Sequence, residues 1–443
     1  MTGSLLACRV LEQEARALLT RLALVRPFAL HETMVPAASV PIPAQAAIES
    51  FLAAGRRHLA QLVQGFIRWI RSPEGRQVPA SDAQRKFTFL RLRFNAVLTQ
   101  FDIFSAVMTQ RSENETGVWL AGLDVASADA LSLPGDYYKA PPVVCHLDRG
   151  HGAAIRRART RLPGGGENPV AVIRIPRERM VGSGIASSLV HEVGHQAAAL
   201  LDLISSVRPV LHGMQSSSGP QRIAWQFWER WISEILADFW SVAKVGVAST
   251  MGLMGVVSLP RVFVFRVDLD DPHPAPWIRV MLSCAMGRAL YPHPQWDTLA
   301  RLWESFYPLE GLDPERRQIF AALLDTMPAF VNLLVTHRPK RLRGKSLREA
   351  LMVEERQPSQ LATIYQAWRG SSAAMRATPP TLAFAVIGQA RADGKIAPEQ
   401  ESSTVARLLT DWALRSTLDA SAICAAHAAP RSAAPAPETT VLQ

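Results

Sequence analysis

The sequence predicts a mostly α chain with one small β-sheet, on three observations. Apolar residues recur at spacings of three and four through most of the chain, as in "IESFLAAGRRHLAQLVQGFIRWI". Only two short runs, "APPVVCHLD" and "GGGENPVAVIRI", have strand character, and they lie close together. The 443 residues, 48% apolar and 19% charged, suffice for two or three domains and a large packed core.

Residues 1–45 hold an amphipathic helix, Leu11 to Leu24, followed by "VPAASVPIPAQ", whose prolines read as a flexible linker. Residues 46–133 form a helical N-terminal region, in which a polar turn separates the first pattern from "FTFLRLRFNAVLTQFDIFSAVMTQ". Between 134 and 340 the strands come first, Val170 to Ile175 being the clearer. Helices follow at Ser187–Leu203, Pro220–Val245 and a Gly-rich run, Val245–Leu259. Residues 341–420 are helical again, with a pair around "ADGKIAPEQ". Residues 421–443 are Ala/Pro-rich and expected to be disordered.

Composition narrows the function classes. The net charge is +10, and the densest basic cluster noted, Arg338 to Arg343, is short and lacks interleaved aromatics, so no nucleic-acid partner is expected. Cys8, Cys145, Cys284 and Cys424 are widely scattered, which fits a reducing compartment and argues against a disulfide framework or a cysteine-based zinc site. Glu12, Glu14 and Arg16 interrupt the first apolar run, so no signal peptide is expected and the location expected is cytoplasmic. The Val245–Leu259 run is shorter than the ~20 residues of a spanning helix, and its glycines suit core packing. No transmembrane span is expected; peripheral membrane contact and non-classical export stay open. "LPGGGEN" lacks the Lys-Ser/Thr of a phosphate loop. "RADGKIAPEQE" puts Gln389 and Arg391 where a calcium loop needs carboxylates.

The chemistry concentrates in "SLVHEVGHQ". His191 and His195 are four residues apart, so both imidazoles leave one helix face a turn apart, as two ligands of one metal ion require. Glu192 follows the first ligand and can take a proton from water that zinc has acidified. Gly194 is expected to leave room beside the metal, with Leu189, Val190, Ala198 and Leu201 as the apolar side. Five residues can arise by accident, and a closed account needs a third ligand. The metzincin spacing would place Gly at 198 and His at 201, where the chain has Ala198 and Leu201, so that solution is excluded. The gluzincin solution needs a Glu from a second helix, often with Asp four residues on.

"WERWISEILADFW" supplies Glu234 and Asp238, on a helix where Trp225, Trp228, Trp231, Ile235 and Phe239 wrap most of the circumference. An unpaired carboxylate there would be costly. Glu234 as metal ligand and Asp238 as hydrogen-bond partner of a ligating histidine would satisfy both; pairing with arginines is the plainer account, and Glu229 is a rival ligand. Beyond them, "DDPHPAPWIRV" holds His273 in an extended loop, poised to bond an oxyanion, and Arg279 in the first turn of the next helix, able to pair with Asp238 or Glu234.

In this order the three motifs, His-Glu-Val-Gly-His, Glu-x-x-x-Asp and His-Pro-x-x-x-x-Arg, resemble the HtpX/CAAX-prenyl-protease family of gluzincin metallopeptidases over residues 165–290. The resemblance implies a zincin-like core flanked by helical regions. It implies one zinc ion on His191, His195 and Glu234, Glu192 as catalytic carboxylate, and Asp238 behind the ligands. His273 and Arg279 would support substrate or transition state. The chain departs from the family in lacking clear membrane-spanning helices, which implies a soluble relative. A weaker likeness over about thirty residues near "ADGKIAPEQ" resembles a TerB-like helix pair and would imply an accessory interaction domain.

The expected activity is zinc-dependent endopeptidase cleavage of a polypeptide substrate, with Glu192 as general base. Strand Val170–Ile175 is expected to align that substrate as an edge strand. Two alternatives stand beside it: an inactive zincin-like scaffold that binds a partner, and a protease effector delivered by a secretion or injection system.

Overall fold

The computed structural model describes residues 3–24, 35–150, 152–162, 165–177, 182, 184–217, 219–268 and 270–428. It is 76% helical with one three-stranded sheet, so the class is mostly α. Helices of eight or more residues are α1 (Gly3–Leu24), α2 (Ile42–Arg71), α3 (Ala80–Thr109) and α4 (Asn114–Leu131) before the sheet. The strands are β1 (Val143–Asp148), β2 (Ala154–Arg156) and β3 (Ala171–Pro176). After them come α5 (Gly184–Leu200), α6 (Leu203–Ser217), α7 (Arg222–Arg230), α8 (Ile232–Val245) and α9 (Val247–Val257). The chain continues with α10 (Pro276–Leu290), α11 (Gln295–Phe306), α12 (Pro314–Thr336), α13 (Pro358–Gly370), α14 (Pro380–Ala392) and α15 (Pro398–Ala428).

The sheet divides two cores. Strand order is β1-β3-β2, with β1 parallel and β2 antiparallel to β3. Because side chains alternate across a strand, Cys145, Leu147, Ala171, Ile173 and Ile175 face a large core shared with α4 through α15. Val144, Val170 and Val172 face a smaller core built by α1, α2 and α3. The division therefore falls near residue 110 rather than 133, since α4 packs its Leu120 and Leu123 into the larger core.

Several expectations change. "VPAASVPIPAQ" is no flexible linker: Ala38 and Val40 are buried, and α2 already begins at Ile42; residues 25–34 lie outside the described residues. The disorder expected from residue 421 is not seen at 421–428, which continue α15, and 429–443 lie outside the described residues. The helical pair near "ADGKIAPEQ" forms no separate domain. Phe384, Ile387, Leu408 and Trp412 enter the same core as the motif helices. The helix expected over Pro220–Val245 breaks at Trp231, whose backbone (φ −90°, ψ 2°) turns between α7 and α8.

Strand β3 is the centre of the sheet, not an edge, because the three-residue β2 pairs on its far side from β1. Among the described residues the helix that is both long and apolar enough to cross a membrane is α12, not the Gly-rich run, whose helix α9 has eleven residues. By length and composition α12 could cross a bilayer; here it buries Phe320, Leu323, Phe330 and Leu334, and Phe330 stacks on Trp228 at 4.7 Å between ring centroids.

Candidate metal centre

Helix α5 runs without proline, and Leu189, Val190, Val193 and Ala197 turn into the core. That leaves His191, Glu192 and His195 on the face lining a cleft of about 600 Å³. Helix α8 packs directly against α5. Gly194 makes that approach close: a Cβ there would stand 2.8 Å from the Cα of Ala237 and 3.0 Å from the Cβ of Trp240. The residue therefore makes room for the neighbouring helix, not for a metal, which corrects the sequence reading. Gly252 does the same for α9, where a Cβ would meet that of Ser187 at 2.4 Å.

The approach delivers the first turn of α8 to the histidines. Glu234 Oε2 lies 3.2 Å from His191 Nε2, and Glu234 Oε1 lies 3.3 Å from His195 Nε2. One ligand atom from each of the three side chains lies within 4.8 Å of the others, close enough to hold one metal ion. Among the described residues these three side chains are the one group so arranged. Glu229 is elsewhere, bonded by Arg208 at 2.6 Å.

The ligands are held from behind. Asp238 Oδ1 accepts from His191 Nδ1 at 2.8 Å, which aims Nε2 at the cleft. Arg279, one turn into α10, grips Asp238 with Nε at 2.7 Å and Nη2 at 2.9 Å. Its Nε–Nη2 edge is thereby occupied by Asp238. His195 Nδ1 has a longer contact, 3.5 Å to Ser233 Oγ. His273 lies on the open side, 53% exposed, with Nδ1 on Asp271 at 2.8 Å and Nε2 3.5 Å from Glu234.

Glu192, Glu234 and Asp238 line the cleft together with Arg279 and Arg157, so its carboxyl groups outnumber its guanidinium groups by one. Burial acts against ionised carboxylates throughout, yet the partners win at two of them. Hydrogen bonds from His191 and His195 hold Glu234 far below the ordinary carboxylate range, and Arg279 with His191 holds Asp238 at about 2. At Glu192 burial dominates and pushes the carboxyl up. Burial alone would lower the His191 pKa, but Asp238 and Glu234 raise it to about 9, so a metal ion taking Nε2 must displace a proton.

Two parts of the cleft were not read from sequence. Its lining includes Ala154 and Ile155 of β2, one of the two edge strands. Gln196, directly after His195, accepts from the backbone N–H of Ala158 at 2.8 Å and so ties the end of that edge to α5. The only sequence signal for either is the short Ala-Ala-Ile-Arg run. Comparison with protein-family models, curated proteins and solved structures finds no match to this chain.

Proposed function

We propose that the protein is a zinc-dependent peptidase of gluzincin type, as the likeness of its three motifs to the HtpX/CAAX-prenyl-protease family also suggests. The observation that carries the reading is the spacing of His191 Nε2, His195 Nε2 and Glu234 beside a buried, cleft-facing Glu192. Zinc held by those three residues supplies Lewis acidity that polarises a scissile carbonyl and acidifies water.

The chain's own residues supply the rest. Glu192 takes the proton of the attacking water and returns it to the leaving amine; a carboxyl pushed up by burial is suited to both halves of that transfer. Asp238 and Arg279 keep the His191 ring in one orientation. His273, fixed by Asp271, faces the cleft from the side where an oxyanion would develop. The free side of β2 can take an extended polypeptide by backbone pairing, the role that sequence reading gave to β3.

The test is zinc stoichiometry by elemental analysis, paired with casein cleavage by wild type and Glu192→Gln. The expected outcome is one zinc per chain in both proteins, with the rate in Glu192→Gln lower by ~10²–10⁴-fold. Equal cleavage by the two proteins, or no zinc in either, defeats the reading.

A further inference from the structure

A second cavity opens on the other face of the sheet, about 610 Å³ in volume, and shares Ala154, Ile155 and Arg157 with the metal cleft. The two spaces therefore meet around the β2 edge. Register places Ala154 opposite Arg174 and Arg156 opposite Val172, so Arg156 and Arg174 project from one face as diagonal neighbours. Arg157 stands at the junction. Ile103 and Ala106 of α3 form the apolar far wall.

The charge here is only partly compensated. Arg156 and Arg157 make no ion pair or side-chain hydrogen bond among the described residues, and no carboxylate among them lines the cavity. Arg174 has only a half-exposed contact of 3.5 Å with Asp148. The Arg338–Arg343 cluster differs: Arg338 pairs with Glu349 at 2.9 Å and Arg341 with Asp202 at 2.8 Å. Three guanidinium groups around one partly enclosed space repel each other, and an anion placed among them relieves that repulsion while accepting forked hydrogen bonds. Apart from His146 the lining has no aromatic ring on which a nucleobase could stack, which favours a carboxylate over a nucleic acid.

We propose that this cavity is an anion-recognising subsite that takes an acidic side chain, Asp or Glu, of a polypeptide lying along the β2 edge. The inference rests on the peptidase reading of the cleft and names its substrate class: acidic segments. Arg156, Arg157 and Arg174 are its specificity-determining residues.

The test is binding, measured by fluorescence anisotropy on zinc-loaded, full-length Glu192→Gln protein, so that no cleavage is needed. The probes are two fluorescein-labelled octapeptides that differ only in Glu against Gln. The Glu peptide is expected to bind about tenfold more tightly at low salt, as one or two charge-assisted contacts provide, with the advantage shrinking as salt rises. Adding Arg156→Gln and Arg157→Gln removes the advantage, whereas Arg156→Lys and Arg157→Lys retain part of it. Equal affinity for the two peptides overturns the proposal, as does an advantage that survives the double Gln variant. Tighter binding of a labelled single-stranded oligonucleotide than of the Glu peptide also overturns it. If circular dichroism shows the double variant unfolded, the wild-type peptide comparison and Arg174→Gln decide. Failure of the casein assay would remove the peptidase reading and leave this binding result standing by itself.

Discussion

Among the described residues Arg111–Asp124 and Arg279–Asp238 are two arginine–aspartate pairs in the interior, and their surroundings differ. Arg111 and Asp124 are both 0% exposed, with Nη1 2.9 Å from Oδ2; Arg111 Nη2 also donates to the Cys145 carbonyl at 2.7 Å. Asp124 in turn accepts from the Cys145 backbone N–H at 2.7 Å, so the pair staples α4 to β1. One cation meets one anion in a closed space. Around Arg279 and Asp238, one guanidinium meets several carboxylates beside an open cleft. The pKa shifts carry the contrast: burial prevails at Asp124 and pushes its carboxyl up, whereas Arg279 and His191 overcome burial at Asp238. A sealed pair locks the fold; the open one sits where the proposed metal would bind.

Breaking each pair should therefore damage different properties. Arg111→Met leaves Asp124 buried without its cation and is expected to cost about 3–5 kcal/mol of stability. In urea unfolding the midpoint falls, while zinc stoichiometry of the folded fraction stays at the wild-type value. Substituting Asp124→Leu as well removes the orphaned charge and should recover much of the loss. Loss of zinc from folded Arg111→Met would erase the distinction between the two pairs.

Asp238→Asn tests the other side. The shape is kept, but the His191 ring loses its charged partner, and metal affinity should fall by ~10–100-fold. Competition with a chromophoric chelator reads that change directly. An unchanged affinity would mean that Asp238 serves Arg279 rather than the histidine.

The separation explains what could be read in advance. His191, Glu192 and His195 obey a local rule, four residues per helix face, and Glu234 with Asp238 repeats it on a helix too apolar to bury them idly. The pairing of Arg279 with Asp238 is legible in the sequence too, from its place in the first turn after an extended His-Pro loop. Strand β2 leaves no sequence signal because three residues give no measurable alternation, and the central place of β3 depends on tertiary pairing that a strand's own sequence does not encode. Gly194 was assigned to the metal because nothing within its own helix reveals that Ala237 sits against it. The N-terminal division came out near 133 instead of 110 because α4 is as helical in pattern as α3 and differs only in the core it fills.

A third buried cation extends the comparison to the case with no carboxylate in contact. Lys244, at the end of α8, donates from Nζ to the Ser132 carbonyl at 2.7 Å and lies over the Trp240 ring at 5.8 Å. Burial first, and then Arg356, lower its pKa to about 8. Between that value and ~10.4, the ordinary lysine pKa, the unfolded chain holds a proton that the folded chain has released, so stability rises with pH across the window. Below pH 8 the folded state carries the full cost, on the order of 3 kcal/mol at 1.36 kcal/mol per pKa unit. Tyr138, Tyr291 and Cys284, all raised by burial, act with opposite sign in alkali. They are common to wild type and Lys244→Met, so the difference between the two isolates the lysine. Urea midpoints at pH 7.5, 9 and 10 should show wild type gaining on Lys244→Met as pH rises. A flat difference would mean that water reaches Nζ, and that a buried cation in this fold need not be paired to be tolerated.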